Sequence, residues 1–299
     1  MTRETARLAV LADVHGNLPA LEAVLADIRH HDVHGFIVAG DLVGGPRPVE
    51  SIQVLRSLPS WIIQGNSDAG FIRYAEGEAP PAWHTNLQFA LLRWGVRQLD
   101  QEMLDFLKSL PEQRVISLPG TVPIRVVHGS PRDPAESIYP DRDPELLDEA
   151  LAQITEPVLI CGHTHEPWAR ERGDRLALNP GSVAGPLDGY VGAQYALLTW
   201  RDSRWHVRHR AMPYDLDRIR ADFMESGLLE EGGALARAFL LGIETGSNVT
   251  QFFLSHARRL AENADGGESP IIPDAVWLEA TETFNWDKGQ WTTHSSTIE

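Results

Sequence analysis

The sequence predicts an α/β fold, and three observations carry the prediction. Short β-branched apolar runs alternate with amphipathic helical segments over residues 1–70, similar runs return over 113–200, and six of the runs end in a metal-binding type of side chain. Run 8–12 leads into Asp13-Val14-His15, 36–40 into Asp41, 61–65 into Asn66, 124–127 into His128, 158–162 into His163-Thr164-His165, and 176–178 into Asn179. Runs this short, bounded by Gly, Pro, Asp or Asn, read as buried strands. Ligands of α/β sheets bind beyond the carboxyl ends of the strands. Asp and His recurring there read as one site drawn from distant parts of the chain.

The elements follow in order. After strand 8–12, a helix is expected over 19–30, with Leu21, Val24, Leu25 and Ile28 at helical spacing. After strand 36–40, Pro48 opens a helix over 49–58 that stops before Pro59. Strand 61–65 is followed by an irregular stretch from 71 and by a helix over 86–110. Within the returning strands, 193–200 and 204–210 alternate as a hairpin around Asp202-Ser203. From Leu216 onward the pattern is helical, over 216–226, 234–243, 249–263 and 275–283, with a linker at 265–270 and a loose polar tail. Residues 1–214 are thus expected to form a catalytic domain and 215–299 a helical appendage. Trp277, Phe284, Trp286 and Trp291 are expected to anchor the tail on the domain surface, a lid or dimer contact being the alternative.

Composition narrows the function. With 299 residues the chain can bury a sizeable core, and 42% hydrophobic with 23% charged residues suits a soluble globular protein. The first residues lack the apolar stretch of a secretory signal, and no apolar run nears the roughly 20 residues that span a bilayer. One cysteine excludes an intramolecular disulfide, so a cytoplasmic location and no membrane partner are expected. Net charge is −16, from 26 Lys and Arg against 42 Asp and Glu. Such a surface repels duplex nucleic acid, yet bound cations can reverse the field at an acidic site and admit a small phosphorylated substrate.

Asp13, His15, Asp41, Asn66, His128, His163 and His165 form a set of oxygen and imidazole donors. Carboxylate and imidazole suit manganese, iron, zinc, nickel or cobalt, and the lack of thiolates argues against a structural zinc site. Seven ligands are too many for one metal with an open position. They suffice for two metals that share a carboxylate, about 3.5–4 Å apart, the clamp used for in-line displacement at phosphorus.

Asp13-Val14-His15, Gly40-Asp41, Gly65-Asn66, Val127-His128-Gly129 and Gly162-His163-Thr164-His165, in that order, resemble the calcineurin-like metallophosphoesterase superfamily. The strings His128–Pro134 and Asn179–Val183 resemble its small bacterial phosphodiesterase branch, and the match spans about residues 8–200. The resemblance implies a four-layer αββα sandwich of two mixed β-sheets flanked by helices, with a dimetal site at one edge. It implies that Asp13, His15 and His165 hold the first divalent ion, that Asn66, His128 and His163 hold the second, and that Asp41 bridges them. It further implies phosphodiester hydrolysis by in-line attack of a metal-bridging hydroxide, with Asp41, Asn66, His128 and His165 as the catalytic group. A small phosphate ester, nucleotides included, is the implied substrate.

One position departs from the family pattern. Many members carry a His after the Gly-Asn, assigned as proton donor to the leaving group; here the string is Gly65-Asn66-Ser67-Asp68. Serine cannot act as a general acid near neutrality, and a general acid typically contributes about 10²–10⁴-fold. His84 is a candidate replacement, set against a plain surface role. Arg132 is a candidate phosphate ligand, set against a salt bridge to Asp133 or a neighbouring loop. Asn179 is a candidate substrate contact, set against a tight Asn-Pro-Gly turn. Cys161, in an apolar strand, is expected to be inert. A phosphomonoesterase or protein phosphatase is the nearest enzymatic alternative, and a non-catalytic interaction scaffold on the same fold is the alternative outside enzymes.

Overall fold

The computed structural model describes residues 6–265 and 270–291. The expected linker falls mostly outside these residues, and the expected loose tail lies outside them beyond 291.

Ten strands form two five-stranded sheets among the described residues. The first holds β1 (Arg7–Leu11), β2 (Gly35–Val38), β3 (Ser60–Ile62), β9 (Ala193–Arg201) and β10 (Arg204–Met212), in the order β10-β9-β1-β2-β3. The second holds β4 (Arg114–Ile116), β5 (Ile124–Val126), β6 (Val158–Ile160), β7 (Trp168–Arg172) and β8 (Arg175–Asn179), in the order β4-β5-β6-β8-β7. Three parallel strands sit in the middle of each mixed sheet or at its end: β1-β2-β3 and β5-β6-β8. The other pairings are antiparallel.

Side-chain alternation explains why the strand runs are largely apolar. Leu8 and Val10 of β1 join Ile37 of β2 and Val158 and Ile160 of β6 in the core between the sheets. Ala9 and Leu11 face the other way, onto helices α1 (Leu18–Ile28), α2 (Pro48–Arg56), α3 (Asn66–Ala75) and α6 (Gln101–Ser109). Leu159 likewise faces α7 (Pro144–Ala152), beside Leu147 and Leu151. Central strands covered on both faces stay almost wholly apolar; the exception is Arg125 of β5, whose guanidinium pairs with Glu156 at 2.9 Å. These layers form the αββα sandwich.

Several helix starts carry their own signal. The Asn17 side chain caps α1 through the Ala20 N–H (3.2 Å), with proline in the first turn. Asp143 caps α7 through the Leu146 N–H in the same way (3.2 Å), ahead of Pro144. The hairpin turn at Asp202-Ser203 has φ of 52° and 61°, the pair of positive values that matches the twist of the flanking strands.

The expected single helix over 86–110 is broken. A 3₁₀ turn at Leu87–Phe89 leads into α5 (Ala90–Gln98), Leu99 is extended, and α6 restarts with Asp100 capping the Met103 N–H at 2.9 Å. The stretch expected to be irregular contains the second half of α3 and the short α4 (Pro81–Thr85).

Beyond residue 215 lie α8 (Leu216–Glu225), α9 (Leu228–Glu231), α10 (Gly233–Thr245), α11 (Val249–Asp265), α12 (Asp274–Thr283) and α13 (Lys288–Trp291). They have a core of their own, in which the Phe253 ring meets Trp277, Phe284 and Trp286 at centroid distances of 5.0, 5.4 and 5.3 Å. They also share a core with the first part of the chain: Trp94 of α5 is buried among Ile219, Phe223, Leu228 and Leu240. Arg47, at the start of α2, donates to Asp222 of α8 at 2.7 Å. Among the described residues no helix is long and apolar enough to cross a membrane.

Candidate active site

The loops that leave β1, β2, β3, β5 and β6 converge at one edge of the two sheets. They are stitched by backbone hydrogen bonds: the Asp13 N–H donates to Gly40 O (3.1 Å), His15 N–H to Asp41 O (2.9 Å), and Gly162 N–H to His128 O (2.7 Å). Five of the seven predicted ligands have left-handed backbone: Asp13 (φ 56°), His15 (43°), Asp41 (56°), His163 (67°) and His165 (56°). Such conformations cost a non-glycine residue on the order of 1–3 kcal/mol each, and they gather where function over-determines the backbone. Asp32, Asp202 and Ser203 are the other non-glycine residues with positive φ among those described, so most of this strain lies at the site.

The structure brings the seven side chains to one place. Ligand atoms of Asp13, His15 and His165 lie within 4.8 Å of one another, as do those of Asp13, Asp41 and His128. Asp41 Oδ2 is 3.5 Å from His15 Nε2 and 3.4 Å from His128 Nε2, which places this carboxylate between the two groups. Asp13 Oδ1 is 3.4 Å from His165 Nε2 and 3.8 Å from His128 Nε2, so Asp13 reaches both groups as well. Asn66 Oδ1 is 3.1 Å from His128 Nε2. The His163 ring lies edge-on to His128, centroids 5.4 Å apart, and its backbone N–H donates to the Asp13 carboxylate at 3.1 and 3.2 Å.

The imidazoles are oriented for cations. Nδ1 of His15, His128 and His165 lies 2.9, 2.6 and 2.9 Å from the carbonyl oxygens of Val43, Ala39 and Gly185. A carbonyl can only accept, so each Nδ1 carries a proton and Nε2 is the nitrogen each ring turns into the cluster. His15 Nε2 and His165 Nε2 are then 3.2 Å apart, a contact that two lone pairs cannot make without a proton or a metal cation to share. Donors fixed by backbone carbonyls in this way are the usual second layer of a metal site. The donor set therefore fits divalent transition metals.

Charge supports the same assignment. Asp13 and Asp41 are fully buried; burial alone would raise their pKa values, but His165 and His128 beside Asp13, and His128, His15 and Ser67 beside Asp41, hold both below the usual carboxylate range. Burial pulls His15 and His163 downward, towards the neutral form that binds metal. For His128 and His165 burial acts in the same direction, but the carboxylates outweigh it: Asp41 and Asp13 lift His128 to about 10, and Asp13 raises His165, so a metal must displace a proton at these two rings.

Ser67 and Asp68 have roles at the site that motif reading did not assign. Ser67 donates to Asp41 twice, from its N–H to Oδ1 at 2.8 Å and from its hydroxyl to Oδ2 at 2.7 Å. Asp68 is buried and accepts from the N–H groups of Leu42 (2.9 Å), Val43 (3.3 Å) and Gly65 (2.9 Å), locking the Asp41 loop to the Asn66 loop. The available signal was an acidic residue at the third position of a helix, where it can reach back to the N-terminal N–H.

The three candidate substrate contacts lie elsewhere. Arg132 is exposed and paired with Glu136 (2.7 Å) and Glu149 (2.8 Å), the salt-bridge alternative with partners other than Asp133. His84 stacks on Tyr74, centroids 4.6 Å apart, and does not line the site cavity. Asn179 is buried; its amide donates to Gly162 O at 2.6 Å and Thr164 Oγ1 at 3.0 Å, and its Oδ1 accepts from the Gly181 N–H. It thus braces the His163–His165 loop and shapes its own turn. Cys161 is buried, and its apolar surroundings push the thiol above its usual range.

With this geometry established, comparison with known proteins is direct. Residues 7–203 match the calcineurin-like phosphoesterase superfamily domain. The crystal structure of a metallophosphoesterase from Sphaerobacter thermophilus is 30% identical, covers 76% of this chain and 96% of its own, and superposes with a TM-score of 0.61. The uncharacterized protein MJ0912 of Methanocaldococcus jannaschii is 27% identical over 241 residues, 75% of this chain and 94% of that protein. The phosphodiesterase YfcE of Escherichia coli K12 is 27% identical over 203 residues, 64% of this chain and 86% of YfcE. The chain belongs to the calcineurin-like phosphoesterase superfamily.

Proposed function

We propose that this protein is a dimetal phosphoesterase that hydrolyses small phosphodiesters. The observation that carries the reading is the paired Nε2 atoms of His15 and His165, pinned from behind by Val43 O and Gly185 O and flanked by two shared carboxylates. Asp13, His15 and His165 would hold one divalent ion; Asn66, His128 and His163 would hold the other, with Asp41 between them. Two such ions lower the pKa of a bound water and take up charge on the phosphoryl oxygens.

The chain's own residues supply the rest. Ser67 fixes both oxygens of Asp41, so the shared carboxylate is set before substrate arrives. The hydroxyl that occupies the position of the family's proton donor is committed to that task and is no acid. The leaving oxygen therefore departs with little proton assistance, which favours substrates with acidic leaving groups. The kinship with YfcE, itself a phosphodiesterase, supports the diester over the monoester. The full ligand set argues against a pure scaffold.

The test is turnover of 4-nitrophenyl phosphate against bis(4-nitrophenyl) phosphate after reconstitution with Mn, Co, Ni or Zn. The proposal expects metal-dependent activity that favours the diester and disappears in Asp41→Ala. Monoester preference would transfer the reading to a phosphomonoesterase, and inactivity with both metals bound would favour the scaffold.

A further inference from the structure

A cavity of about 470 Å³ opens over the ligand cluster, within the roughly 300–1,000 Å³ typical of small-molecule sites. One side is His15, Asn66, Ser67, His163 and His165. The facing side is mostly hydrocarbon from two helical elements far apart in sequence, with Ser247, Asn248 and Thr250 as its polar members. Leu235, Phe239 and Ile243 come from α10, with Val249 at the start of α11. Leu91 and Leu92 of α5 close it from another direction.

The apolar wall begins at a metal-ligand ring. Phe239 meets His15 edge-on with centroids 5.6 Å apart, and is backed by the fully buried Phe223 at 5.9 Å. Leu235 and Phe239 lie one turn apart on the same face of α10, and both are only half-buried although the other large apolar side chains of that helix, Leu240, Leu241 and Ile243, are buried. Among the described residues no Lys or Arg lines the cavity, and its only ionisable side chains are the three histidines. A phosphoryl group placed at the donor cluster leaves the remainder of its molecule against Phe239 and Leu235. A second phosphate there would lose water with no cation to receive it.

We infer that α10 and the start of α11 form the specificity element of this site, and that the substrate is a small ester with one phosphate and an apolar, ring-sized organic group. The inference rests on the phosphoester-hydrolase reading and adds the substrate class to it. The helices after residue 215 then take part in substrate choice as well as in packing. Polyphosphorylated ligands are disfavoured because the wall offers them no counter-charge.

The experiment uses the full metal-loaded chain and two pairs of probes. Phenylphosphonate and methylphosphonate binding is measured by calorimetry, and bis(4-nitrophenyl) phosphate turnover is compared with that of methyl 4-nitrophenyl phosphate, which shares its leaving group. Phenylphosphonate is expected to bind at least about tenfold more tightly, the discrimination that one or two buried methylene equivalents give. Phe239→Ala and Leu235→Asn are expected to shrink this preference severalfold and to lower the kcat/KM ratio of the two diesters. Intrinsic reactivity is common to all variants, so a change in the ratio reports the wall. Leu235→Asn carries the test if Phe239→Ala melts early. Equal affinity for the two phosphonates, or variants that leave both ratios unchanged, would overturn the inference and leave the hydrolase reading standing. Absence of turnover with both diesters would instead sink the hydrolase reading, while the phosphonate pair still decides the wall.

Discussion

His15 and His165, 150 positions apart in the chain, face each other through Nε2 atoms 3.2 Å apart while Val43 O and Gly185 O hold their Nδ1 atoms. Each ring is fixed by the main chain of a different sheet's loops, so neither can turn away. Removal of either donor is therefore expected to cost one metal rather than the fold. His165→Ala should retain one ion per chain after dialysis and lose activity by more than about 100-fold, beyond the 10–100-fold typical of a lost outer partner. Metal analysis alongside a melting curve checks it; two ions retained would contradict the ligand assignment.

Ser67 acts on the metals only through Asp41, and its loss should read as an outer-partner effect. Ser67→Ala is expected to reduce metal affinity or activity by about 10–100-fold with little change in melting temperature. An unchanged metal dissociation constant and an unchanged rate would show that the two hydrogen bonds to Asp41 are not what orients it.

The missing acid makes a kinetic prediction. Across aryl phosphodiesters, rate should rise steeply as the leaving phenol becomes more acidic. A flat Brønsted plot would mean that some group protonates the leaving oxygen.

Gly65 and Gly77 offer a contrast of close approach with open space. A Cβ at Gly65 would fall 2.0 Å from Asp41 Oδ1 and 2.4 Å from Asp41 N, whereas nothing lies within 4 Å of one at Gly77. Gly65→Ala is expected to destabilise by about 1–3 kcal/mol through overpacking and to weaken metal binding. Gly77→Ala carries only the cost of its left-handed φ of 76°, roughly 1–2 kcal/mol, with metal content unchanged. Denaturant melts and metal analysis of both variants separate the two effects.

In the metal-free protein His128 has a pKa of about 10 against an ordinary 6.5, so the folded form holds a proton that a metal must displace. The sign follows. Protonation of His128 favours the metal-free fold fully below pH 6.5, and that contribution is lost as pH rises through about 10. Metal affinity moves oppositely, rising with pH over the same window. Calorimetry at pH 8 in buffers of different ionisation heat should show proton release on metal loading; no release would contradict the His128–Asp41 pairing.

The sheet strands and their terminal donors were legible because central strands buried on both faces leave an apolar run, broken in β5 only by Arg125, that stops where the polar donor begins. The break at Leu99 was not legible, since no Gly or Pro marks it and Asp100 reads as an ordinary exposed helix residue until it caps α6. The start of α7 carried an Asp143-Pro144 signal that strand-level reading of 113–200 overrode. The left-handed backbone at Asp13, His15, Asp41, His163 and His165 has no local sequence cause; it goes with hydrogen bonds between the loops of neighbouring strands that are distant in sequence. The roles of Ser67 and Asp68 depend on Asp41 and Leu42, 26 positions away, and no spacing rule connects them. The apolar wall from α10 became visible only once the helices after residue 215 were seen to pack against α5.

Anomalous scattering from crystals soaked in manganese tests the central claim most directly. The account predicts two peaks about 3.5–4 Å apart, one against Asp13, His15 and His165, the other against Asn66, His128 and His163, with Asp41 touching both. A single peak, or none with the seven side chains still gathered, would contradict it.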